Sequence, residues 1–408
     1  MREIRWDWAL SSAARCHSRS KSSGVGDSEW ARASLIVMRW FPLNRPYPRR
    51  THERPSPCKV KPEHHPPAMP TTETSPARRL IDSVLVWDHH ACMPLRPHDM
   101  SFMPQLSRHL AAGFNAVNLN VGFGEQTPEQ HMAMLMAMRA WLADRPDEYL
   151  LVRTAGDIEL ARQSGRLAVA FDIEGLNAIG DRIDRVQTYY DLGVRWMLLA
   201  YNTPNRAAGG CQAVDEGLTA FGREVVLEME RVGMQVCLSH TGHRTAREVL
   251  AMASRPVIFS HSNCAALHPH PRNIPDDLIR ACAQTGGVVG INGVGVFLGK
   301  NDISSVTYAR HVDHIVQLVG PAHVSIALDY VFDSAELEEY MRTMRHTFPP
   351  NLGYELGARF VAPEQLEEIV ATLQGWGYGD EDLAAILGGN LTRLANLIWK
   401  ESRSATSL

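Results

Sequence analysis

The sequence lacks the features that mark several classes of protein. No apolar run approaches the ~20 residues of a membrane-spanning helix. No cluster of Lys and Arg lies within the regularly patterned part of the chain, and the formal net charge is −4 over 408 residues. This balance gives no reason to expect a nucleic-acid partner. We therefore expect neither a membrane nor a nucleic acid among the partners of this chain, which is long enough to bury a large core in one or two domains.

Cysteine is scarce, and no pair has the CxxC spacing of a metal or redox motif. The seven cysteines are an odd number scattered along the chain, which argues against a disulfide framework. A mostly reduced protein is typical of the cytoplasm, and we predict that location. Histidine is abundant by contrast. Eighteen histidines are more than a core requires, and this number favours metal binding.

Residues 1–77 differ from the rest of the sequence. They are rich in Arg, Pro and Ser and lack sustained periodicity, so they cannot bury enough apolar surface to offset chain entropy. A targeting arm is one interpretation. We favour a disordered leader that need not be native, with Met69 as the true beginning.

From residue 78 onward, strand-like and helix-like patterns alternate. Alternation of this kind predicts βαβ units and a parallel sheet, and eight units suit a closed (β/α)8 barrel of the TIM type over residues 78–408. An open doubly wound sheet is the main competitor, but no GxGxxG motif follows the first strand. The eight apolar runs are residues 85–87, 116–119, 168–173, 196–199, 235–238, 257–259, 287–291 and 324–328.

Helical periodicity is clearest in two stretches between these runs. Apolar residues at 221, 225, 229 and 232 form one face of a helix, and Gly233 follows as a stop signal. Residues 127–142 show the same pattern. The tail, from Pro363 to about Lys400, predicts two helices that close the domain.

Five of the apolar runs end in residues that could bind a metal. The C-terminal ends of parallel barrel strands are where catalytic groups collect. A lone His at a strand end is usually a hydrogen-bonded surface group, but Ser239-His240 and Ser260-His261 end successive runs in the same way. Imidazole together with carboxylate suits Zn²⁺, and a carboxylate can bridge two metals. The candidates are His90, Glu174, His240, His261 and Asp329.

Several longer motifs point to one family. GLTAFG at residues 217–222 leads to Ser239-His240, SHSN occupies residues 260–263, and PRN occupies 271–273. Gly389-Asn390 is followed by Arg393. With these motifs the sequence, from about Ile81 to Leu397, resembles the membrane dipeptidase (renal dipeptidase) family of zinc peptidases, which belong to the amidohydrolase-like barrels.

The resemblance implies a ligand set for one or two Zn²⁺ ions per chain. His90 would bind the first zinc, Glu174 would bridge both, and His240 with His261 would bind the second. The resemblance implies catalytic roles for Glu174 and for Asp329, which would handle protons beside the bridging hydroxide. Asp329 as the N-cap of a helix is the alternative.

The resemblance also implies substrate contacts. Arg272 would pair with the substrate carboxylate, for which its guanidinium fork is suited; a surface ion pair is the alternative. Tyr201 and Asn202 would contact substrate, although the family has His where Tyr201 stands. A tyrosine could replace that His as a hydroxyl donor but not as a cation.

A second departure from the family lies at the first metal. The family motif D-x-H-x-D becomes Asp88-His89-His90-Ala91-Cys92, so Cys92 replaces a ligand Asp. Two residues along a strand share one side, which would let His90 and Cys92 face one metal. A thiolate can bind zinc. In the alternative, Cys92 is a small buried residue and the first metal is weak or absent.

Three functions are consistent with these residues. The first is a zinc-dependent dipeptidase that hydrolyses small dipeptides by a metal-activated hydroxide. The second is a metal-dependent amidohydrolase acting on another small amide. The third is a barrel without catalysis that has a binding or structural role. Joint retention of the ligand residues disfavours the third, and a homodimer is compatible with all three.

Overall fold

The computed structural model describes residues 74–400, which form a parallel β/α barrel with helices outside it. Most of the predicted leader therefore lies outside the described residues. Among residues 74–400, no helix is both long enough and apolar enough to cross a membrane. The strands are β1 (Trp87–Cys92), β2 (Ala116–Phe123), β3 (Tyr149–Leu151), β4 (Leu167–Glu174), β5 (Val194–Leu198), β6 (Gln235–Cys237), β7 (Val289–Asn292), β8 (Val324–Ala327) and β9 (Tyr330–Val331).

The strands follow one another around a closed ring. Parallel ladders give the order β6-β5-β4-β2-β1, and β7 pairs with β8. Residues 257–259 join the two groups, since Ile258 bridges to β6 and Phe259 bridges to β7. The ring closes where the backbone N–H of Asp329, just after β8, donates to the carbonyl of His90 at 2.9 Å. The predicted eight-stranded barrel is confirmed.

Two details of the strands differ from the apolar runs of the sequence. The run at residues 257–259 makes single bridges on each side instead of a full ladder. The sequence also gave no sign of β3 and β9, because strands of three and two residues are too short to show a period. β3 pairs with the first half of β4, and β9 continues beyond β8 to pair with the end of β1.

Fourteen α-helices are found among the described residues. The predicted helix with Gly233 as its stop is α6, and Gly233 ends it in the left-handed region at φ 92°. The bounds are α1 (Pro76–Ser83), α2 (Ser107–Ala112), α3 (Pro128–Ala143), α4 (Ala155–Gln163), α5 (Arg185–Asp191), α6 (Ala220–Val232), α7 (His243–Met252), α8 (Asp276–Gln284), α9 (Gly295–Leu298), α10 (Ser305–Val319), α11 (Ser334–Thr343), α12 (Leu366–Gly375), α13 (Asp380–Ala384) and α14 (Asn390–Ile398).

The tail closes the domain as predicted. A π-helical turn, Ala385–Gly389, joins α13 to α14, so the tail contains two helical runs. Leu391 and Leu394 of α14 share a buried cluster with Trp87 and Ala168 near the beginnings of β1 and β4. The helix therefore lies at the amino ends of the strands and leaves the carboxyl ends free.

Asp88 links the first and last strands of the ring. One of its carboxylate oxygens accepts the backbone N–H of Leu328 at 2.9 Å and that of His90 at 3.3 Å. The other lies 2.9 Å from Nε2 of His109 on α2. All of these groups are buried. The Asp88 side chain thus connects β1, the end of β8 and α2 to one another.

We predict that Asp88→Ala lowers the free energy of unfolding by about 3–5 kcal/mol. The substitution leaves two backbone N–H groups and an imidazole buried without their acceptor. Denaturant unfolding followed by circular dichroism measures the change. Asp82→Ala is the matched control, because Asp82 is exposed and its ion pair with Arg78 should contribute less than about 1 kcal/mol. Equal stability of the two variants would show that Asp88 does not hold the ring.

Candidate metal centre

Three imidazoles from separate strand ends converge on one carboxylate oxygen. Oε1 of Glu174, the last residue of β4, lies 3.0 Å from Nε2 of His261, 3.3 Å from Nε2 of His240 and 3.6 Å from Nε2 of His90. All four side chains are buried. The structure therefore brings together the His and Glu residues that the sequence singled out as ligands.

The outer nitrogen of each imidazole has its own partner. Nδ1 of His90 lies 3.2 Å from Asp172, Nδ1 of His240 lies 2.7 Å from Oδ1 of Asn202, and Nδ1 of His261 lies 2.8 Å from Oγ of Ser260. Such partners fix ring orientation and are characteristic of metal-binding histidines. They direct all three Nε2 atoms towards Glu174.

The backbone is held in an uncommon conformation at this site. Five non-glycine residues in the described part of the chain have positive φ, and three of them are Asn202 (57°), His240 (61°) and Asp329 (50°). Left-handed conformations cost free energy for residues with a β-carbon and gather where function requires them. Each of the three places its side chain at the metal ligands or against them.

The charges of the cluster suit a cation. Burial lowers the pKa of His240 and His261 well below the usual range, and the nearby charge of Arg272 or His90 lowers it further. Burial alone would also lower the pKa of His90. The charges of Asp172, Cys92 and Glu174 outweigh the effect of burial, and the pKa of His90 is raised. Burial raises the pKa of Glu174 to about 8 although His90 opposes this. Buried imidazoles free of protons are competent ligands.

The donor atoms of this cluster suit a zinc ion. Oε1 of Glu174 is buried and has no hydrogen-bond partner, although three imidazoles surround it. Nε2 of His240 and Nε2 of His261 face each other at 2.9 Å. Two nitrogen ligands of one tetrahedral zinc lie about 3.3 Å apart, so a small separation of the two rings would let both bind the same ion. Three imidazole nitrogens and a carboxylate are a set that zinc prefers.

Cys92 and Asp329 form a second group of potential ligands beside His90. Sγ of Cys92 lies 3.4 Å from Nε2 of His90 and 3.6 Å from Oδ1 of Asp329, which is itself 3.4 Å from Nε2 of His90. The prediction that His90 and Cys92 share one side of β1 is confirmed. Burial raises the pKa of the Cys92 thiol above its usual value, and the charge of His90 opposes this increase only in part.

Arg272 is buried beside the cluster without an acidic partner. Its side chain donates from Nη2 to the carbonyl of His261 at 3.1 Å and lies over the ring of Phe297 at 5.1 Å. No carboxylate among the described residues is within ion-pair distance, and its Nε is buried without an acceptor. The alternative of a surface ion pair is therefore wrong, because Arg272 is 2% exposed.

The alternative role for Asp329 is also wrong. The N-cap of the following helix, α11, is Asp333, whose carboxylate accepts the N–H groups of Ala335 and Glu336. Asp329 lies four residues earlier, and its Oδ2 accepts a hydrogen bond from Asn292 at 2.7 Å.

Tyr201 and Asn202 surround His240. The Tyr201 ring stacks on the imidazole with centroids 4.1 Å apart. Asn202 is buried, and its amide is engaged at both ends, since Oδ1 faces His240 and Nδ2 donates to the carbonyl of Thr347. In the structure Asn202 orients a ligand; its predicted contact with substrate stays a prediction.

Sequence reasoning missed three residues that support the ligands. Asp172 stands two positions before Glu174 on β4, so the period of two already placed both on one side. Asn120 donates to Asp172 at 3.1 Å, and Asn292 donates to Asp329. Both asparagines directly follow predicted apolar runs, so the rule that identified the histidines could have found them.

A cavity of about 850 Å³, open to solvent, lies above the cluster. Its floor is formed by Cys92, Glu174, His240 and Asp329. Its walls are largely apolar and include Phe123, Phe297, Tyr340, Phe348 and Tyr354. A small molecule in this cavity would lie directly against the candidate metal ligands.

The fold and the site together define a β/α barrel with a candidate cation site of histidine and carboxylate at the carboxyl ends of its strands. The chain belongs to the membrane dipeptidase family (peptidase family M19), whose sequence profile matches residues 98–345. The family suggested by the sequence motifs is thus confirmed. Membership of a metallopeptidase family implies a metal.

Individual relatives agree with this assignment. An uncharacterised dipeptidase of Schizosaccharomyces pombe is 37% identical over 41% of this chain and 42% of its own length. Dipeptidase verJ of Clonostachys rogersoniana is 38% identical over 45% of this chain and 48% of its own length. The matches therefore span less than half of these two relatives. The crystal structure of an amidohydrolase from Pseudomonas aeruginosa superposes with a TM-score of 0.72 at 25% identity, covering 79% of this chain and 99% of that one.

We predict that zinc protects Cys92 from thiol reagents. A thiolate bound to metal reacts slowly, so zinc should reduce the rate of modification of Cys92 at least about tenfold. The measurement is absorbance with a chromogenic disulfide reagent on metal-free and zinc-loaded protein. Cys92→Ser identifies the protected thiol, and Cys211→Ser is the control, since Cys211 is the other half-buried thiol among the described cysteines. If Cys92 reacts equally fast with and without zinc, it is not a ligand.

Proposed function

We propose that this chain is a zinc-dependent dipeptidase that hydrolyses small dipeptides. The observation that supports this most is the convergence of His90, His240 and His261 on Glu174 at the floor of a cavity that can admit a small substrate. The unpaired, buried Arg272 beside the same cluster suits a substrate with a free carboxylate.

The ligands divide into two groups around a shared carboxylate. His240 and His261 with Glu174 would hold one zinc, and His90 with Glu174 and Cys92 would hold a second. When bound, such ions lower the pKa of water and polarise a carbonyl. The outer partners Asp172, Asn202 and Ser260 keep the imidazoles turned inward.

The remaining polar residues have separate tasks. Asp329, at the cavity floor and held by Asn292, would take up a proton and return it to the leaving amine. Burial raises the pKa of Asp329 above its usual value, opposed mainly by His90, and this favours such exchange. Arg272 would hold the substrate carboxylate, and the Tyr201 hydroxyl would donate to the carbonyl of the scissile bond.

A second candidate is hydrolysis of another small amide at the same centre. It is favoured by Tyr201, which stacks on His240 where the family has a His. A neutral phenol can donate a hydrogen bond to the reacting carbonyl, but it cannot provide the positive charge of a protonated His. Hydrolysis of N-acyl amino acids in preference to dipeptides would support this candidate.

We also propose that the protein works in the cytoplasm. All five cysteines in the described part of the chain are free thiols, which suits a reducing compartment. A homodimer stays a prediction, and light scattering would test it.

We predict that His261→Ala abolishes dipeptide hydrolysis and removes about one equivalent of zinc. The variant loses a ligand at the centre of the cluster and leaves its neighbours unable to complete the coordination sphere. Zinc content by atomic absorption and hydrolysis by amino-group release are measured together. His314→Ala is the control, because His314 pairs with Asp276 on the helical layer. Wild-type zinc content and turnover in His261→Ala would contradict the proposed function.

We predict that Arg272→Lys lowers kcat/KM on dipeptides at least about tenfold. Lysine cannot form two parallel bonds with a carboxylate, and a hydrogen bond to a charged group contributes about 1.5–3 kcal/mol. The control is a dipeptide amide, which lacks the carboxylate and should be hydrolysed equally by both proteins. An unchanged kcat/KM on the free dipeptide would remove Arg272 from the site.

A further inference from the structure

Five of the aromatic side chains that line the cavity form a row of neighbouring rings. Ring centroids are separated by 6.1 Å from Phe297 to Tyr354, 5.4 Å from Tyr354 to Phe348, 6.4 Å from Phe348 to Phe123 and 5.2 Å from Phe123 to Tyr340.

The middle of this row lies over the candidate metal ligands. Tyr201 contacts both Phe123 and Phe348, at 5.0 Å and 6.2 Å, and stacks directly on His240. The reacting bond of a substrate would therefore lie under the centre of the row, with one part of the molecule extending each way.

The two ends of the row differ in charge. Arg272 lies over the ring of Phe297 and gives that end a buried positive charge. The Tyr340 end is apolar, with Met93, Leu95, Val331 and Leu337 among the other lining residues. The acidic side chain there, Glu336, accepts the N–H of Leu95 at 3.1 Å, lies 3.9 Å from Arg96 and is hydrogen-bonded to Tyr340.

This asymmetry fixes the direction of a dipeptide. Its carboxylate would go to Arg272, its amide bond to the floor, and its N-terminal side chain to the Tyr340 end. The α-ammonium, which is close to the amide bond, would stay at the floor near Asp329. We infer that the cavity selects dipeptides whose N-terminal residue carries a large apolar or aromatic side chain, an inference that rests on the proposed dipeptidase function.

The wall that makes this selection is joined to the barrel by ion pairs and a hydrogen bond. Tyr340 and Phe348 belong to residues 332–365, the segment between β9 and α12. This segment is fixed to the barrel loops by Arg96 with Asp333 at 3.0 Å, by His346 with Glu125 at 2.6 Å, and by Asn202 with the Thr347 carbonyl. Contacts that hold an apolar wall in place reduce the entropy lost on binding.

The inference is tested with the full chain loaded with zinc and a matched set of dipeptides. We expect kcat/KM for Phe-Gly and Leu-Gly to exceed that for Ala-Gly at least about tenfold, because each added methylene in an apolar pocket improves discrimination. In the reversed peptides, Gly-Phe and Gly-Ala should differ by less than about threefold. This comparison of substrates needs no variant.

Two variants of one residue identify the wall. Tyr340→Ala should remove most of the preference for Phe-Gly over Ala-Gly, because the ring beside Phe123 is lost. Tyr340→Phe keeps the ring, loses only the hydroxyl bonded to Glu336, and should retain the preference.

The outcomes separate this inference from the proposed function. Equal kcat/KM of the wild-type protein for Phe-Gly, Leu-Gly and Ala-Gly, or a preference for Ala-Gly, would overturn the inference and leave the dipeptidase function standing. Preference for Gly-Phe over Phe-Gly would reverse the direction and also overturn it. No turnover of any dipeptide by protein shown to contain zinc would reject the proposed function, and the inference with it.

Discussion

The site depends on one buried carboxylate that faces three imidazoles. Glu174 projects from β4 into the barrel mouth, where His90, His240 and His261 arrive from three other positions around the ring. An acidic group buried in the barrel mouth is costly unless a cation compensates it, and burial accordingly raises the pKa of Glu174 to about 8, although the charge of His90 opposes this. Neighbouring residues hold the four side chains in this arrangement. Asp172, Asn202 and Ser260 orient the rings, and left-handed backbone at His240 and Asp329 aims two side chains that a regular strand would turn elsewhere.

The barrel makes this convergence possible because closing the ring brings its first and last strands together. His90 and Cys92 lie on β1, and Asp329 follows β8, yet Sγ of Cys92 is 3.6 Å from the Asp329 carboxylate. Asp88 holds that junction from beneath, bonded at once to Leu328, His90 and His109. A residue that touches no substrate thus determines the distance between two groups that would.

Much of this arrangement could be predicted from the sequence, for a physical reason. Barrel strands are apolar runs bounded by polar residues, and their carboxyl ends share one mouth, so His90, Glu174, His240, His261 and Asp329 could be grouped without coordinates. The same rule applied further would have added Asn120 and Asn292. What the sequence could not show depends on backbone conformation. The backbone at Asn202 is left-handed and its amide oxygen faces His240. Asparagine adopts this conformation more readily than most residues, but no local pattern predicts it at this position. The two-residue strand β9 was missed because it is stabilised by its neighbour β1 and is too short to show a period of its own.

Chemistry and selectivity are carried by different parts of this chain. The ligands lie on strand ends, whose positions are fixed by the hydrogen bonds of the whole ring, so each can change only within narrow limits. The apolar wall comes largely from α11 and the loop after it, which form their own small cluster around Phe123, Phe297 and Phe348 and are joined to the barrel by a few ion pairs and hydrogen bonds. A change in Tyr340 or Phe348 reshapes the cavity without moving Glu174, because no ladder connects them. Cys92 and Tyr201, the two departures from the family motifs, lie at the candidate ligands instead of in the wall. Sγ of Cys92 is 3.4 Å from Nε2 of His90, and the ring centroids of Tyr201 and His240 are 4.1 Å apart. A change at either position would therefore alter the proposed reacting centre and leave the apolar wall as it is.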